Sequence, residues 1–153
     1  MFSPLSLKAH KQLTNLADEV LYLREQVLDS KMACLRARQA CQTCNLEAAT
    51  EYLDESIDNV PDERALETLS QRVFILHLMH PELNLDSLQV DLTALTNEYN
   101  TTLDKIEVVQ EGLMSLADRV QVYYTAGLMQ DFYEFEPKRI VAFFEQKWTQ
   151  DPQ

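Results

Sequence analysis

"DSLQVDLTALTNEYNTTLDKIEVVQEGLMSLADRVQVYYT", residues 86–125, decides the fold. Leu88, Leu92, Leu95, Tyr99, Thr102, Ile106, Val109, Leu113, Leu116, Val120 and Tyr123 recur in unbroken steps of four and three, and Asn97, Asp104, Glu111 and Asp118 stand farthest from that line. Only an α-helix brings such positions onto one side, and held for this length the recurrence is a heptad seam. Asp86, with Gln89 three residues on, suits the reciprocal capping arrangement at a helix start. The spacing predicts a helix over about 87–126, and the seam from Leu88 to Tyr123 alone would run ~54 Å at ~1.5 Å per residue. An apolar line that long must be covered, by another helix of the same chain or by another chain.

Working outward, the first forty-odd residues carry a similar line. Leu13, Leu16, Val20, Leu23, Val27, Ser30, Cys34, Ala37, Cys41, Cys44 and Ala48 alternate by three and four, and Leu21, Leu28 and Leu35 widen the stripe beyond what a two-stranded zipper needs. Ser3 and Pro4 suit a helix start, the first as cap and the second as a residue without an amide to orphan. The spacing therefore predicts a helix over about 4–42. After Asn45 the phase shifts to Leu46, Ala49, Leu53, Ile57 and Val60, with Thr43 or Asn45 able to cap a new helix over about 46–59. Pro61 punctuates, and Leu66, Leu69, Val73 and Leu76 mark a helix over about 62–79 that His80 and Pro81 stop. Gly127 reads as a helix C-cap, "DFYEFEP" as a connector, and Pro137 as the first residue of a short helix over about 137–149.

Composition agrees. Two glycines and five prolines in 153 residues leave too few tight-turn residues for a sheet protein. The expected fold is all-α: a single domain over 1–153, an elongated helical bundle with long antiparallel helices and a heptad, coiled-coil-like seam. Isolated glycines also exclude P-loop and dinucleotide-binding chemistry, which needs them clustered. The net charge is -12, and residues 45–136 hold nineteen acids against four bases. That section repels a phosphate backbone and an anionic membrane surface, so neither nucleic acid nor membrane is an expected partner. No apolar run reaches the ~18 residues of a membrane span, and "MFSPLSLKAHK" lacks the order of a secretory signal. Three cysteines, an odd count, fit thiols in a reducing compartment, hence an intracellular, cytoplasmic or nuclear protein.

Two groups of residues could carry chemistry. Cys41 and Cys44 stand at CxxC spacing and His77 and His80 at HxxH, a set that neighbouring helices could present to one tetrahedral zinc. The imidazole spacing is short, and Cys34, Cys41 and Cys44 all continue the seam begun at Leu13, where free cysteine packs as a small hydrophobe. Glu51, Asp54, Glu55 and Asp58 share a helix face and could hold magnesium, resembling all-α pyrophosphohydrolases in bearing acids on helices. Those enzymes use two separated acidic pairs, whereas this is one cluster, and acids on an outer helix face are ordinarily solvated. The stretch "CNLEAATEYLDESIDNVP" also resembles the second helix of a tetratricopeptide repeat, with Ala49, Leu53, Ser56 and Pro61 near its small, aromatic, small and proline positions. Ala33 stands where a large aromatic belongs and no copy follows about 34 residues on, so a single helical hairpin is expected there.

Eight of the thirteen aromatics fall at Tyr123 and beyond. Aromatic side chains anchor protein interfaces, which makes Phe132, Tyr133, Phe135, Phe144 and Trp148 candidate partner-binding residues, although the same residues can cap the end of a bundle. The expected function is a non-enzymatic protein-interaction module: a small subunit, adaptor or dedicated chaperone of a larger assembly. No cofactor, metal or catalytic residue is expected. The partner surface would be basic or helical, and the seam leaves a homo-oligomer open. The alternatives are an all-α hydrolase using the carboxylates, or a zinc-stabilised helical module.

Overall fold

The computed structural model describes residues 4–148. Five helices follow in order: α1 Pro4–Gln42, α2 Leu46–Asn59, α3 Glu63–Met79, α4 Asp86–Thr125 and α5 Met129–Lys147. No strand occurs among the described residues. The molecule is an all-α helical bundle. The cap expected from Ser3 lies outside the described residues.

Packing divides the chain into two compact units, Met1–Leu28 with Val60–Asn100, and Asp29–Asn59 with Thr101–Gln153. The sequence marks no such boundary because it falls at residues 28–29 inside α1 and 100–101 inside α4, points at which no glycine or proline stands.

Unit 1 is built from the first part of α1, from α3 and from the first part of α4. Leu16, Val20, Leu23 and Val27 meet Leu66, Leu69, Val73 and Leu76 and, on α4 and just before it, Leu85, Leu88, Leu95 and Tyr99. Fully burying each aliphatic side chain is worth about 1.5–3 kcal/mol, so this cluster supplies most of the unit's cohesion. α3 lies antiparallel to α1, since Arg72 pairs with Glu19 at 2.6 Å and Met79 shares a groove with Gln12. It lies antiparallel to α4 as well, with Glu63 beside Tyr99 and Asn100. The two longest helices therefore run parallel here, not antiparallel as the sequence suggested: α3 is the return limb, and α1 and α4 both pack against it. Asp62 caps α3 by accepting from the Arg64 amide at 3.1 Å. Before α4 the Asn84 side chain accepts from the Asp86 amide at 3.0 Å, so Asn84 takes the capping task expected of Asp86.

Unit 2 comprises the end of α1, α2, the rest of α4 and α5, arranged as two hairpins. The α1–α2 hairpin is close-packed because its contact residues are small: Ser30, Ala33, Cys34, Ala37, Ala40 and Cys41 on α1, Ala49 and Ser56 on α2, all buried. Ser30 Oγ donates to the Ser56 carbonyl and Ser56 Oγ to the Ser30 carbonyl, each at 2.7 Å. The turn closes α1 with two bonds, from the Cys44 amide to the Cys41 carbonyl and from the Asn45 amide to the Ala40 carbonyl. This Schellman geometry places Cys44 in the left-handed region at φ 57, a conformation that favours glycine. Asn45 Oδ1 then caps α2 through the Ala48 amide. Gly127, at φ 74, ends α4 by the same pair of bonds to Tyr124 and Tyr123.

α5 begins at Met129, eight residues before the expected start at Pro137. Phe132, Glu136, Ile140 and Phe144 form a buried line at steps of four, and that burial outweighs the loss of one helical hydrogen bond at proline. The bond lost is the one to the Tyr133 carbonyl, at an exposed position where solvent has access. Gly112 permits the close approach of α5 to α4: a Cβ there would come within 2.9 Å of the Phe143 and Phe144 rings.

Candidate protein-interaction surface

The seam of α4 faces inward along its length. Leu95, Tyr99, Ile106, Val109 and Leu116 are buried, and Leu92, Leu113 and Val120 are half-buried. Its cover comes from the chain's own helices, so the seam is core and not a partner surface. The cysteines share that core. Cys34 and Cys41 are buried free thiols, and burial pushes them up to about 11 and about 12 respectively. Cys44 is half-buried and is also shifted upward by burial, with the charge of Glu136 adding to the effect and that of Arg119 opposing it. These are protonated, unreactive thiols at neutral pH. Cys41 and Cys44 belong to unit 2, whereas His77 and His80 belong to unit 1. Among the described residues no three His, Cys, Asp or Glu gather closely enough to hold a metal ion.

Glu51, Asp54, Glu55 and Asp58 are exposed on α2 and line none of the grooves described below. Exposed acids on the outer face of an amphipathic helix are ordinarily solvated.

The C-terminal aromatics separate into two sets. Phe132 and Phe144 are buried core residues of unit 2, so they offer a partner nothing; their i, i+12 spacing on one buried line is the reason. Trp148 is half-buried at the end of α5, beneath the Arg38 guanidinium at 4.7 Å and the Lys105 ammonium at 5.4 Å from its ring centroid. Two cations over one indole fasten the end of α5 to α1 and α4. Tyr133 and Phe135 remain open to solvent, 64% and 58% exposed. Near them Glu136, only 1% exposed, accepts from Arg119 Nε and from Tyr123 Oη, and Arg139 lies 3.6 Å away. This buried carboxylate is consumed by its own network and presents no free oxygen to a substrate.

A cluster of exposed apolar side chains lies elsewhere, on α3. Phe74, Ile75, Leu78 and Met79 are 60%, 52%, 62% and 68% exposed, on the side opposite Leu66, Leu69, Val73 and Leu76. Ile75 and Met79 form one wall of a groove of about 180 Å³ between α3 and α1, floored by Leu16 and Leu76 and edged by Gln12, Asn15 and Arg72, the last paired with Glu19. A second groove, of about 460 Å³, runs between α3 and α4 past Glu63, Glu67, Thr96 and Tyr99. The sequence holds a signal for this face: "VFILHLM", residues 73–79, is too apolar for a helix that buries one side only. These residues stand outside the single inward stripe of Leu66, Leu69, Val73 and Leu76. Exposed apolar residues in a cluster, and not scattered singly, mark contact sites.

No helix among the described residues is long and apolar enough to cross a membrane. Family models, curated proteins and solved structures yield no match to this chain.

Proposed function

We propose that this chain is a non-enzymatic, intracellular protein-interaction module, a small helical subunit or adaptor that docks on another protein through the open face of α3, with Tyr133 and Phe135 as a lesser contact. The observation that carries the reading is the exposure of Phe74, Ile75, Leu78 and Met79 together on two successive turns. Removing such a patch from water is a standard source of affinity, and large apolar side chains at its centre dominate the binding energy. The seam and the buried aromatics support the reading indirectly, as the scaffold that holds α3 in place. The three free thiols support a reducing compartment.

The test is recovery of the chain from its native cell. The wild type is expected in a defined complex of reproducible stoichiometry, and Phe74→Ser with Leu78→Ser is expected to be recovered alone with its thermal melting unchanged. A wild-type chain that sediments as a free monomer in native extracts, at native abundance, defeats the proposal.

A further inference from the structure

Resting on the reading of the chain as an interaction module, we infer that the outward face of α3 receives an amphipathic helix of a second protein, with lysines or arginines about two to three turns beyond its apolar side. The shape of the face selects a helix. Phe74 with Leu78 and Ile75 with Met79 are two i, i+4 ridges side by side, and such ridges interlock with those of a second helix. The groove beside Ile75 and Met79 has an apolar floor at Leu16 and Leu76 and lets the incoming side chains sink between α3 and α1.

The charge of the occupant follows from the other half of the same face. Toward the start of α3 the outward surface changes from apolar to acidic: Gln71 and Ser70 come first, then Glu67 and Glu63, two and three turns before Phe74, and Asp62 at the cap. Arg64 is the single cation of that turn. A helix long enough to cover both halves meets leucine-like contacts at one end and carboxylates at the other, and a basic segment complements the latter. The net charge of -12 adds a favourable long-range field for such a partner. A second copy of this chain is disfavoured as the occupant, since it brings a second net charge of -12 against the first.

The experiment uses the full-length chain and two synthetic helical peptides with an identical leucine face, one flanked by lysines and the other by glutamates. Fluorescence anisotropy is expected to show the lysine peptide binding at least about tenfold tighter, the advantage shrinking as salt rises. Leu78→Glu is expected to weaken that binding by about tenfold or more while leaving thermal melting unchanged, because Leu78 is a surface residue. Glu63→Gln with Glu67→Gln is expected to narrow the difference between the two peptides. Equal binding of both peptides overturns the inference, as does binding that Leu78→Glu leaves intact. So does a dimer of the chain itself that Leu78→Glu dissociates. Equal binding of the two peptides, or binding that ignores Leu78→Glu, leaves the broader proposal to be decided by recovery from the native cell, whereas a Leu78-dependent dimer would count against both.

Discussion

Unit 1 closes on leucines and valines with one tyrosine, and its ion pairs, Arg72–Glu19 and Arg24–Glu98, lie at the surface. In unit 2 the buried residues include Ser30, Ser56, Thr102, Lys105 and Glu136, and every buried polar side chain among the described residues belongs to this unit. An aliphatic interface holds helices together without fixing their register closely, because one methyl contact substitutes for another. A buried carboxylate on Arg119, or two serines exchanging hydroxyl bonds, fits one register only, since a slip leaves a polar group without a partner in low dielectric. Unit 2 is thus the specified half of the chain and unit 1 the more tolerant half. The face left open, on α3, belongs to the tolerant half.

The difference can be broken from either side. The largest effect is expected for Ile106→Asp with Leu113→Asp in α4, which places two carboxylates along the inward face of unit 2. Loss of the folded state, by more than about 5 kcal/mol, should be visible as absent cooperative melting by circular dichroism. Glu136→Gln strips the charge that Arg119 and Arg139 face, and about 3–5 kcal/mol is expected to be lost. The matching change in unit 1, Arg72→Ala, breaks a pair whose side chains are 48% and 37% exposed and should cost under about 1 kcal/mol. Equal losses from these two variants in denaturant titrations would erase the distinction between the units.

The thiols give a third measurement, confined to unit 2. Burial raises Cys34 to about 11 and Cys41 to about 12 in the folded chain, above the ordinary value of 9.0. The folded state therefore prefers them protonated. Their contribution to stability is whole below about pH 9 and is lost as pH climbs toward the folded values, about 1–2 kcal/mol per thiol by about pH 10.5. Melting temperatures should fall over that range, and the fall should shrink in a Cys34→Ala, Cys41→Ala chain compared at each pH with its own neutral value. One change is expected to give a gain: Cys44→Gly relieves a left-handed residue and should stabilise by about 1 kcal/mol.

Much of this was legible beforehand. Leu16, Val20, Leu23 and Val27 are buried where the alternation of three and four puts them, and the thiols Cys34 and Cys41 behave as members of that stripe. Gly127 ends α4 as its backbone freedom suggests, and Asn45 caps α2. The candidate surface was less legible. Phe132 and Phe144 looked like partner anchors because aromatic content alone does not separate a core residue from an interface residue; their spacing on one buried line, continuous through Pro137, makes the separation. The apolar surplus of residues 73–79 was present in the sequence, yet helical period marks only which side faces in and carries no information on what covers the side opposite.

By itself the sequence determined that the chain is helical, which positions of α1, α3 and α4 turn inward, and that Cys34 and Cys41 sit among apolar residues; side-chain period is a local property of the backbone, readable from neighbours three and four apart. Only the tertiary structure decided that α1 and α4 run parallel with α3 as the return limb, that the chain divides within two unbroken helices, that α5 spans its proline, and that Glu136 finds Arg119 and Tyr123. Those outcomes turn on which surfaces meet across long stretches of chain, where the gain from burying a shared face outweighs local preference, and no pattern of adjacent residues encodes the partner.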